Sequence, residues 1–524
     1  MAQNDYLITP QSDIFLLKCP LEKDSFHQIS FSNTTTQHNY FNSLPKIEMN
    51  NATYMRKDGR LYFDDDFDTC LPYNYCMYRN DGYSNKWFYA FVTDLRFESN
   101  NSCSCQLITD VYQTWIFDAT IKQSFVERSH ISTANDIIGA YTYPEGLETG
   151  EYVSNGYEYY DGLDDIYYML QATQWSSGSN PPLATNFGGV IMAGGAYVTS
   201  SVSTLLSIIQ AYANNGRSDA IYNLYTVPQI ITATTTGETQ YPGQLGPKSD
   251  TFTFTRPTTI NGYTPKNNKL FTFPYCYILM SNNVGSSNIL HYERFTDNLW
   301  QPTNVATFKI QGVPTVGCSI KCSPMYYDKM SINEENGIMA GKFPTLNWSE
   351  DAYTNWLTQN AVNIGTGIAS SGLQIIGGIS AIASGAGAGV GAMTIAHASL
   401  NIANQLGQIY EHSLQPNSAK GNVNAGDLTF SAHTNGFYFY KMSIKSEYAE
   451  IIDKYLTMFG YKINKVSSIN TNSRSNWNFI KTIDVNITGD IPQDDMQKLK
   501  DLYNRGITIW HTTTHFLDYS QNNT

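Results

Sequence analysis

Charged side chains are scarce in this chain of 524 residues, where they make up 15% of the sequence against about 25% in ordinary globular proteins. Cysteine is scarce too: eight residues are far too few for the dense disulfide framework of a small secreted domain. We therefore expect reduced thiols buried in cores and strands. The first residues carry neither the basic nor the apolar stretch of a signal peptide, so we expect synthesis in a cytoplasm without export by that route.

Positive charge is also in deficit. The chain has 32 Lys and Arg residues and 45 Asp and Glu residues, which gives a net charge of -13. A surface that binds phosphates carries the opposite charge. Sequence-specific binding of nucleic acid is therefore not expected. An acidic surface is compatible with DNA that passes without adhering, although charge alone does not distinguish this from ordinary solubility.

Aromatic residues are abundant instead. They form 14% of the chain and include 38 Tyr, and Tyr, Thr, Val and Phe suit the pleated, half-buried surface of a sheet. The composition predicts a mainly β fold with a few helices (α+β), built as β-barrel or sandwich domains. At this length we expect roughly three or four units of about 100 to 200 residues each rather than a single core.

Short apolar runs separated by Asn, Asp, Gly and Ser predict strands and hairpins up to about residue 131. The clearest runs are 13–18, 87–92 and 111–117. From 132 to 188 the chain is acidic and shows no clear period, so we expect it to be extended or rich in loops. A further β-rich stretch is expected from 225 to about 339.

Three stretches have helical periodicity. Residues 199–215 place Leu and Ile near helical spacing and stop at Asn-Asn-Gly. Apolar residues from Tyr448 to Phe459 recur at helical intervals between a capping Ser446 and Gly460. Residues 492–505 carry two Asp in the first turn and end before Gly506, after which 507–510 reads as a strand.

A long uncharged segment lies in the second half of the chain. No Asp, Glu, Lys or Arg occurs between Asp351 and Glu411, and Gly, Ala, Ser and Ile dominate. About 20 apolar residues cross a bilayer as a helix, so 352–410 has the length for two spans, with a glycine cluster at 384–391 between them. The arms are weakly hydrophobic and lack flanking Lys and Arg clusters. We therefore predict a hairpin that enters a membrane conditionally.

Two other interpretations of this segment remain open. It can be a buried helical hairpin, although each Gly costs about 1 kcal/mol in a helix and packs little area. It can also be a flexible linker, although Gly/Ser linkers rarely carry pairs such as Ile375 and Ile376.

Candidate metal sites are weak. His511 and His515 have ligand-like spacing but lack the Glu of a His-Glu-x-x-His helix, and on a strand they would form a surface pair on one face. The acidic run 63–68 has no EF-hand glycine or terminal Glu, so a solvated turn is the better interpretation. We predict no metal and no cofactor.

Catalytic signatures are absent as well. Cys103 and Cys105 alternate as expected on a strand, and no His lies beside them at zinc spacing. His130 and His291 belong to no local catalytic motif, and the glycine cluster at 384–391 precedes no Lys-Ser/Thr of a phosphate-binding loop. We therefore predict that the protein is not an enzyme.

Several stretches occur in an order that resembles one family. They are Lys86-Trp-Phe-Tyr-Ala-Phe-Val-Thr-Asp94, Asp110-Val-Tyr-Gln-Thr-Trp-Ile-Phe-Asp118, Ser124-Phe-Val-Glu-Arg-Ser-His130, Tyr455-Leu-Thr-Met-Phe-Gly-Tyr-Lys-Ile-Asn464, Trp477-Asn-Phe-Ile-Lys-Thr482, Gly506-Ile-Thr-Ile-Trp-His511 and Asp518-Tyr-Ser520. Together they resemble the tail-knob, or distal tail tube, proteins of small short-tailed bacteriophages (podoviruses) that infect Gram-positive bacteria.

The resemblance implies a virion protein at the tail tip that forms a hexameric tube through which DNA leaves without sequence-specific binding. Its expected partners are further copies of itself, other tail proteins such as the lower collar or connector and the tail tip, and the host cytoplasmic membrane. In that family a long hydrophobic loop plugs the lumen and then enters the membrane. The matching apolar side chains here are Ile364, Ile368, Leu373, Ile375, Ile376, Ile379, Ile382, Val390, Met393, Ile395, Leu400, Ile402 and Leu406.

The predicted organisation has four parts. An N-terminal β tube domain covers 1–131, and a middle β-rich region with one helix covers 132–345. The hydrophobic membrane-active hairpin covers 346–412, and an α+β part over 413–524 packs back on the tube domains. The alternative functions are a purely structural tail or receptor-binding protein without membrane activity, and a cell-wall hydrolase, which would need a nucleophile or a metal site.

Overall fold

The computed structural model describes residues 12–52, 60–80, 86–163, 166–172, 185–187, 190–192, 195–199, 220–228, 248–283, 285–313, 319–328, 337–340, 345–347 and 436–524. The described chain is mostly strand with few helices, which confirms the predicted fold class. Packing divides it into two units. Unit 1 contains Met1–Glu148, Pro265–Leu270 and Glu447–Thr524, and unit 2 contains Thr149–Thr264 and Phe271–Ser446. The four-part division stays a prediction.

The elements before residue 150 all belong to unit 1. In chain order they are β1 (Ser12–Leu17), β2 (His27–Ile29), α1 (Thr34–Ser43), β3 (Lys46–Ala52), β4 (Arg60–Phe63), α2 (Phe67–Cys70), β5 (Tyr75–Asn80), β6 (Phe88–Ser99), β7 (Ser102–Thr109), α3 (Val111–Trp115), β8 (Ala119–Ile121) and β9 (Ser124–Ser129).

The strands of unit 2 follow. They are β10 (Tyr152–Tyr160), β11 (Ile166–Ala172), β12 (Thr185–Phe187), β13 (Val190–Met192), β14 (Gly195–Thr199), β15 (Ile221–Pro228), β16 (Lys248–Thr255), β17 (Cys276–Ser281), β18 (Ser287–Leu290), β19 (Val305–Val313), β20 (Ser319–Met325), β21 (Ile338–Met339), β22 (Thr345–Asn347) and β23 (Phe437–Ile444). The chain then returns to unit 1 with α4 (Ser446–Phe459), β24 (Tyr461–Ser467), β25 (Trp477–Asp484), β26 (Ile487–Gly489), α5 (Gln493–Arg505) and β27 (Ile507–Trp510).

Unit 1 is built on two large sheets. One has the strand order β3-β1-β5-β6-β7-β4 and the other the order β2-β27-β25-β9-β24, while β26 and β8 form a small pair. The second sheet joins the two ends of the chain, because β2 pairs with β27 in parallel register, His27 opposite Thr508. Strands from both ends of the sequence are therefore needed to complete this unit.

The described residues of unit 2 form three four-stranded sheets, in the orders β10-β23-β17-β18, β14-β11-β15-β22 and β16-β19-β20-β21, and the pair β12-β13. Its core is aromatic. Phe308 and Phe439 are fully buried with ring centroids 4.3 Å apart, and Phe254 stacks on Phe308 at 5.6 Å. Offset and tilted ring contacts of this kind add about 0.5–1.5 kcal/mol each beyond the area that they bury.

The two helices predicted near the C-terminus are confirmed as α4 and α5. Each ends at a glycine in a left-handed conformation, with φ of +67° at Gly460 and +105° at Gly506. At Gly460 a Cβ would collide with the backbone of Ser129, so this position excludes other residues for space as well as for φ.

The strand predicted at 111–117 is wrong, because residues Val111–Trp115 form α3. The Asp110 side chain accepts from the backbone N–H groups of Tyr112 at 3.1 Å and Gln113 at 3.2 Å. This capping overrides the β propensity of the run.

The expectation that 132–188 is extended or rich in loops is wrong in part. Residues 140–151 form no helix or strand, but β10 and β11 follow within the same stretch. The alternation of β10 is hidden because exposed residues follow one another from Ser154 to Tyr157, where the register shifts. The helix predicted at 199–215 lies outside the described residues, apart from Thr199, which ends β14.

The seven described cysteines are free and buried, as predicted, and Cys318 lies outside the described residues. Within the acidic run at 63–68, Phe63 ends β4 and is buried, and residues 64–66, of which Asp64 and Asp66 are exposed, lead into α2. Asp66 caps this one-turn helix by accepting from Asp68 N. The interpretation of this run as a solvated turn is confirmed for residues 64–66 only.

Candidate functional site

The thirteen apolar residues predicted to act on a membrane, from Ile364 to Leu406, lie outside the described residues. The strands on either side of them are described. β22 precedes the segment and pairs with β15, Asn347 opposite Asn223. β23 follows the segment and lies between β10 and β17 in a different sheet. The uncharged segment therefore connects two sheets of unit 2.

β23 is fixed to the core on one face. Phe437 and Phe439 are both fully buried, and Phe439 contacts Phe252, Phe254 and Phe308 with centroid distances of 5.2, 5.5 and 4.3 Å. The sequence from Phe437 to Tyr440 alternates Phe and Tyr with the period of a strand. This alternation is a sequence signal for β23, a strand that was not predicted.

The opposite face of β23 carries tyrosines. Tyr438 lies 4.8 Å from Tyr159 and Tyr440 lies 5.8 Å from Tyr157, measured between ring centroids. Asn283 Nδ2 donates to Tyr440 Oη at 2.9 Å. Tyr157 is exposed and the other three rings are half-buried. They pair across the β10–β23 ladder, where aromatic neighbours stabilise a sheet by about 0.2–1 kcal/mol per pair.

Polar contacts hold β10 against its neighbours. Lys441 Nζ forms an ion pair with Glu158 at 2.5 Å, and Asn155 Nδ2 donates to Ser443 Oγ at 2.6 Å. Tyr160 Oη donates to Asp250 at 2.9 Å, and burial raises the pKa of this phenol well above its usual range. Strand β23, which follows the uncharged segment, is thus held by its buried phenylalanines, by tyrosine pairs on its other face and by polar contacts with β10.

The predicted histidine pair does not share a strand face, which corrects that expectation. β27 ends at Trp510, and both histidines lie in the turns beyond it. His511 Nε2 lies 2.9 Å from Asn478 Oδ1, and burial lowers the pKa of His511. His515 is exposed. Within the described ranges, no cluster of three His, Cys, Asp or Glu side chains could hold a metal ion.

His130 has a structural position in unit 1. It is buried, its Nδ1 accepts from Phe479 N at 2.7 Å, and its Nε2 lies 2.9 Å from the carbonyl oxygen of Thr457, to which it donates. Both ring nitrogens are therefore occupied by backbone groups. Burial lowers the pKa of this imidazole to about 3, so the ring stays neutral across the physiological range.

In the part of the chain that the structure describes, no helix combines the length and the apolar character that crossing a bilayer requires.

Comparison with known protein families gives two matches. Residues 242–524 match the C-terminal domain of the tail knob protein gp9 of Bacillus phage phi29. Residues 10–120 match the N-terminus of the caudoviral major tail protein.

Individual relatives match over nearly the full length. The tail knob protein gp9 of Bacillus phage phi29 is 25% identical, and the alignment covers 95% of this chain and 96% of the phage protein. The corresponding protein of Bacillus phage B103 is also 25% identical over 94% of this chain and 95% of its own length. The solved structure of the bacteriophage C1 tail knob protein gp12 has a TM-score of 0.67 at 15% identity and covers 98% of this chain and 99% of that one. The two proteins therefore share a fold.

Proposed function

Because the chain belongs to the phage tail knob protein family, whose model matches more than half of it, we propose that it forms the tube at the tail tip through which DNA leaves the particle. The family resemblance drawn from the sequence is confirmed. The protein is a structural component of a virion tail and assembles with other tail proteins. The tube, its hexameric state and its contacts with a collar or connector protein belong to the proposal.

The uncharged segment gives the proposal its second part. Residues 352–410 plug the lumen before infection and enter the host cytoplasmic membrane when DNA is released. The observation that carries this part is the complete absence of Asp, Glu, Lys and Arg between Asp351 and Glu411. In lipid each such charge would cost several kcal/mol, and a segment that only connects two sheets in water has no reason to exclude charge over this length.

A ring of identical copies explains how a soluble particle shields such an apolar segment from water. Copies related by rotation bring identical apolar faces together around one axis, so each hides its surface against its neighbours. Small residues allow that close approach and the same approach in a bilayer. Six hairpins would contribute twelve arms, enough to surround an opening.

The acidic composition supports passage of DNA. A net charge of -13 per chain disfavours adhesion of the phosphate backbone. The protein needs no catalytic centre for this role, and we propose that it is not an enzyme. It is made in the host cytoplasm and assembled there.

The attachment of the segment makes the proposal testable by deletion. β22 pairs with β15, and β23 pairs with β10 and β17, so the described pairings of these two strands use no residue within 352–410. A variant with these residues replaced by a short Gly/Ser linker should fold and form rings. Electron microscopy and light scattering would measure ring formation.

Membrane activity is measured by release of a self-quenched dye from liposomes. The full-length protein, partly unfolded by mild denaturant to release the segment, and a peptide covering 352–410 should both release dye. The linker variant should not. Dye release by the linker variant, or intact vesicles with both the full-length protein and the peptide, would leave a tail protein that is purely structural or receptor-binding.

Charge substitution separates the membrane role from a buried-hairpin role. Ile376→Asp and Ile382→Asp should reduce dye release at least tenfold while rings still form, and Ile376→Val serves as the matched control. Loss of folding in both Asp variants would instead indicate a core hairpin. Wall-degrading activity that disappears in His511→Ala or His515→Ala would contradict the non-enzymatic role.

A further inference from the structure

Two buried cysteines of unit 1 are in direct contact. Cys70 ends the one-turn helix α2 and Cys103 lies on β7, and both are fully shielded from solvent. Cys103 Sγ lies 2.9 Å from Cys70 Sγ. A disulfide bond is about 2.05 Å long, so the two sulfur atoms need to approach by only about 0.9 Å to be linked.

The cover over this pair is thin. Asp68 and Thr69, which precede Cys70, are exposed, and Leu71 after it is 60% exposed. Isolated helical turns are marginal in water, and α2 is held at its start by Asp66, whose Oδ1 accepts from Asp68 N at 3.4 Å. Local opening of this single turn would expose Cys70 without breaking the six-stranded sheet.

We propose that Cys70 and Cys103 are a latent disulfide site, reduced during synthesis and oxidised when the virion leaves the cell. Cytoplasmic thiols are kept reduced, whereas the medium outside a cell is oxidising. A tail protein experiences both environments in that order. The inference depends on the virion location and not on the proposed membrane activity.

The oxidant is a low-molecular-weight disulfide, and the reaction is thiol–disulfide exchange. The Cys70 thiolate attacks one sulfur of the small disulfide, forms a mixed disulfide and releases one small thiolate. The Cys103 thiolate then attacks Cys70 Sγ, forms the protein disulfide and releases the second small thiolate. Two protein thiols are oxidised, the small disulfide is reduced to two thiols, and the two cysteine protons pass to these products.

The neighbouring cysteines are poorer partners. Cys76 lies on β5, which is separated from β7 by β6, so about 9.6 Å of sheet separates it from Cys103 and Cys105. Cys105 and Cys103 are two residues apart on one strand, where Cβ atoms point in parallel rather than toward each other. Burial raises the pKa of the thiols of Cys70 and Cys103, which slows the exchange and confines it to molecules in which α2 has opened.

The bond would close a loop from residue 70 to residue 103. A loop of this length restricts the unfolded chain and stabilises unit 1. Its expected signature is a rise of the melting temperature of unit 1 by roughly 5 °C or more.

The test uses the full-length protein, reduced, desalted and incubated with oxidised glutathione. Thiols titrated in denaturant should fall from the eight of the sequence to six. The melting temperature should rise and return to its first value with dithiothreitol. Eight free thiols after oxidation, or glutathione that stays on Cys70 without a link, would overturn the proposal.

Assignment of the bond needs care because trypsin leaves Cys70 and Cys76 in the peptide 61–79, and Cys103 and Cys105 in the peptide 97–122. Peptide mapping without reduction should therefore include the double variant Cys76→Ala/Cys105→Ala, in which a bond between these peptides can only join residues 70 and 103. A wild-type protein whose fragment spectra place the bond on Cys76 or Cys105 would contradict the assignment.

The thermal shift has its own controls. Cys70→Ala and Cys103→Ala should melt at the same temperature with and without oxidant, whereas Cys105→Ala, on the same strand, should keep the shift. A shift that persists in Cys70→Ala would assign the oxidation to other cysteines. The peptide map of the wild type decides the matter if an alanine variant does not fold.

Discussion

The indole N–H of Trp115 donates to the Asp495 carboxylate at 2.8 Å, although 380 positions separate the two residues in the chain. Both side chains are buried, and the bond joins α3 to the first turn of α5. Trp115→Phe should lower the free energy of unfolding of unit 1 by about 1–3 kcal/mol, since a buried carboxylate loses a donor. Urea denaturation followed by hydrogen exchange within unit 1 measures this.

Asp495→Asn is the matched control for that variant. It keeps an acceptor oxygen for the indole and should cost less than Trp115→Phe. Equal stability of the wild type and Trp115→Phe would show that the bond contributes nothing net.

Asp110 should be among the more costly single residues to replace in unit 1. Its carboxylate is fully buried and accepts from Tyr112 N, Gln113 N and, at 3.0 Å, Tyr75 Oη. Asp110→Ala should cost about 3 kcal/mol, because it removes a helix cap and leaves buried donors without their acceptor.

The exposed cap of α2 is the comparison for Asp110. Asp66→Ala should cost no more than about 1 kcal/mol, because water replaces the lost acceptor. Similar losses in the two variants, measured by urea denaturation, would contradict the role of burial.

Acid should weaken unit 1 through His130. Burial lowers the pKa of this imidazole to about 3, against about 6.5 in an unfolded chain. Between these values the unfolded state binds a proton that the native state does not. The stability contributed by the neutral ring is complete above pH 6.5 and is lost as the pH falls toward 3.

The variant His130→Gln isolates this effect, because glutamine can both accept from Phe479 N and donate to Thr457 O without titrating. The stability advantage of the wild type over His130→Gln, measured in urea at pH 7.5 and 4.5, should shrink by about 1–3 kcal/mol at the lower pH. Asp110 also titrates in this range, because burial raises its pKa to about 6, and its protonation changes stability with the opposite sign. Both proteins contain Asp110, so its contribution cancels when the wild type is compared with His130→Gln. An advantage that is independent of pH would refute the assignment.

A buried three-charge cluster ties the short segment 265–270 into unit 1. The carboxylate of Glu145 is fully shielded and forms ion pairs with Arg128 and Lys269, whose side chains are 8% and 3% exposed. Glu145→Gln removes the negative charge that both cations contact and should cost about 3–5 kcal/mol. Thermal unfolding of unit 1 is the measurement.

Glu450 provides the surface counterpart. It pairs with Lys454 one helical turn away at 2.7 Å, and both are exposed. Glu450→Gln should change stability by no more than about 0.5 kcal/mol. A loss as large as that of Glu145→Gln would mean that burial of the cluster is not the cause.

The strand after the uncharged segment should depend on its core face. Phe439→Ala deletes a fully buried ring and should destabilise unit 2 by about 3–5 kcal/mol. Tyr438→Ala, on the other face of β23, should cost about 1 kcal/mol or less. Limited proteolysis and thermal unfolding would compare them, and equal losses would show that β23 is not held mainly by its core face.

Sequence patterns within a short stretch predicted the elements that are stabilised by residues of the same stretch. Helices α4 and α5 have apolar residues at helical spacing and a terminal glycine, and both were located from these signals. The error at α3 has a local cause as well: one Asp satisfies two backbone N–H groups, and this outweighs a run of β-forming residues. A capping residue in front of an apolar run therefore deserves more weight than the propensity of the run.

Contacts between distant parts of the chain could not be predicted from one sequence. Nothing near Trp115 points to Asp495, and nothing near Lys269 indicates that it meets Arg128 through Glu145. The alternation of β10 is masked because tyrosines serve both its inner and its outer face. The predicted membrane residues from Ile364 to Leu406 lie outside the described residues, and their role stays a prediction.

The parallel pairing of β2 with β27 has a consequence for biosynthesis. His27 leaves the ribosome 481 residues before its partner Thr508, and at about 5–20 residues per second this interval is roughly 24–96 s. Strand β2 must wait for that time without its partner β27, and an unpaired strand edge is a hazard for aggregation. Faster translation, or a chaperone that covers β2 during translation, should therefore raise the yield of folded protein.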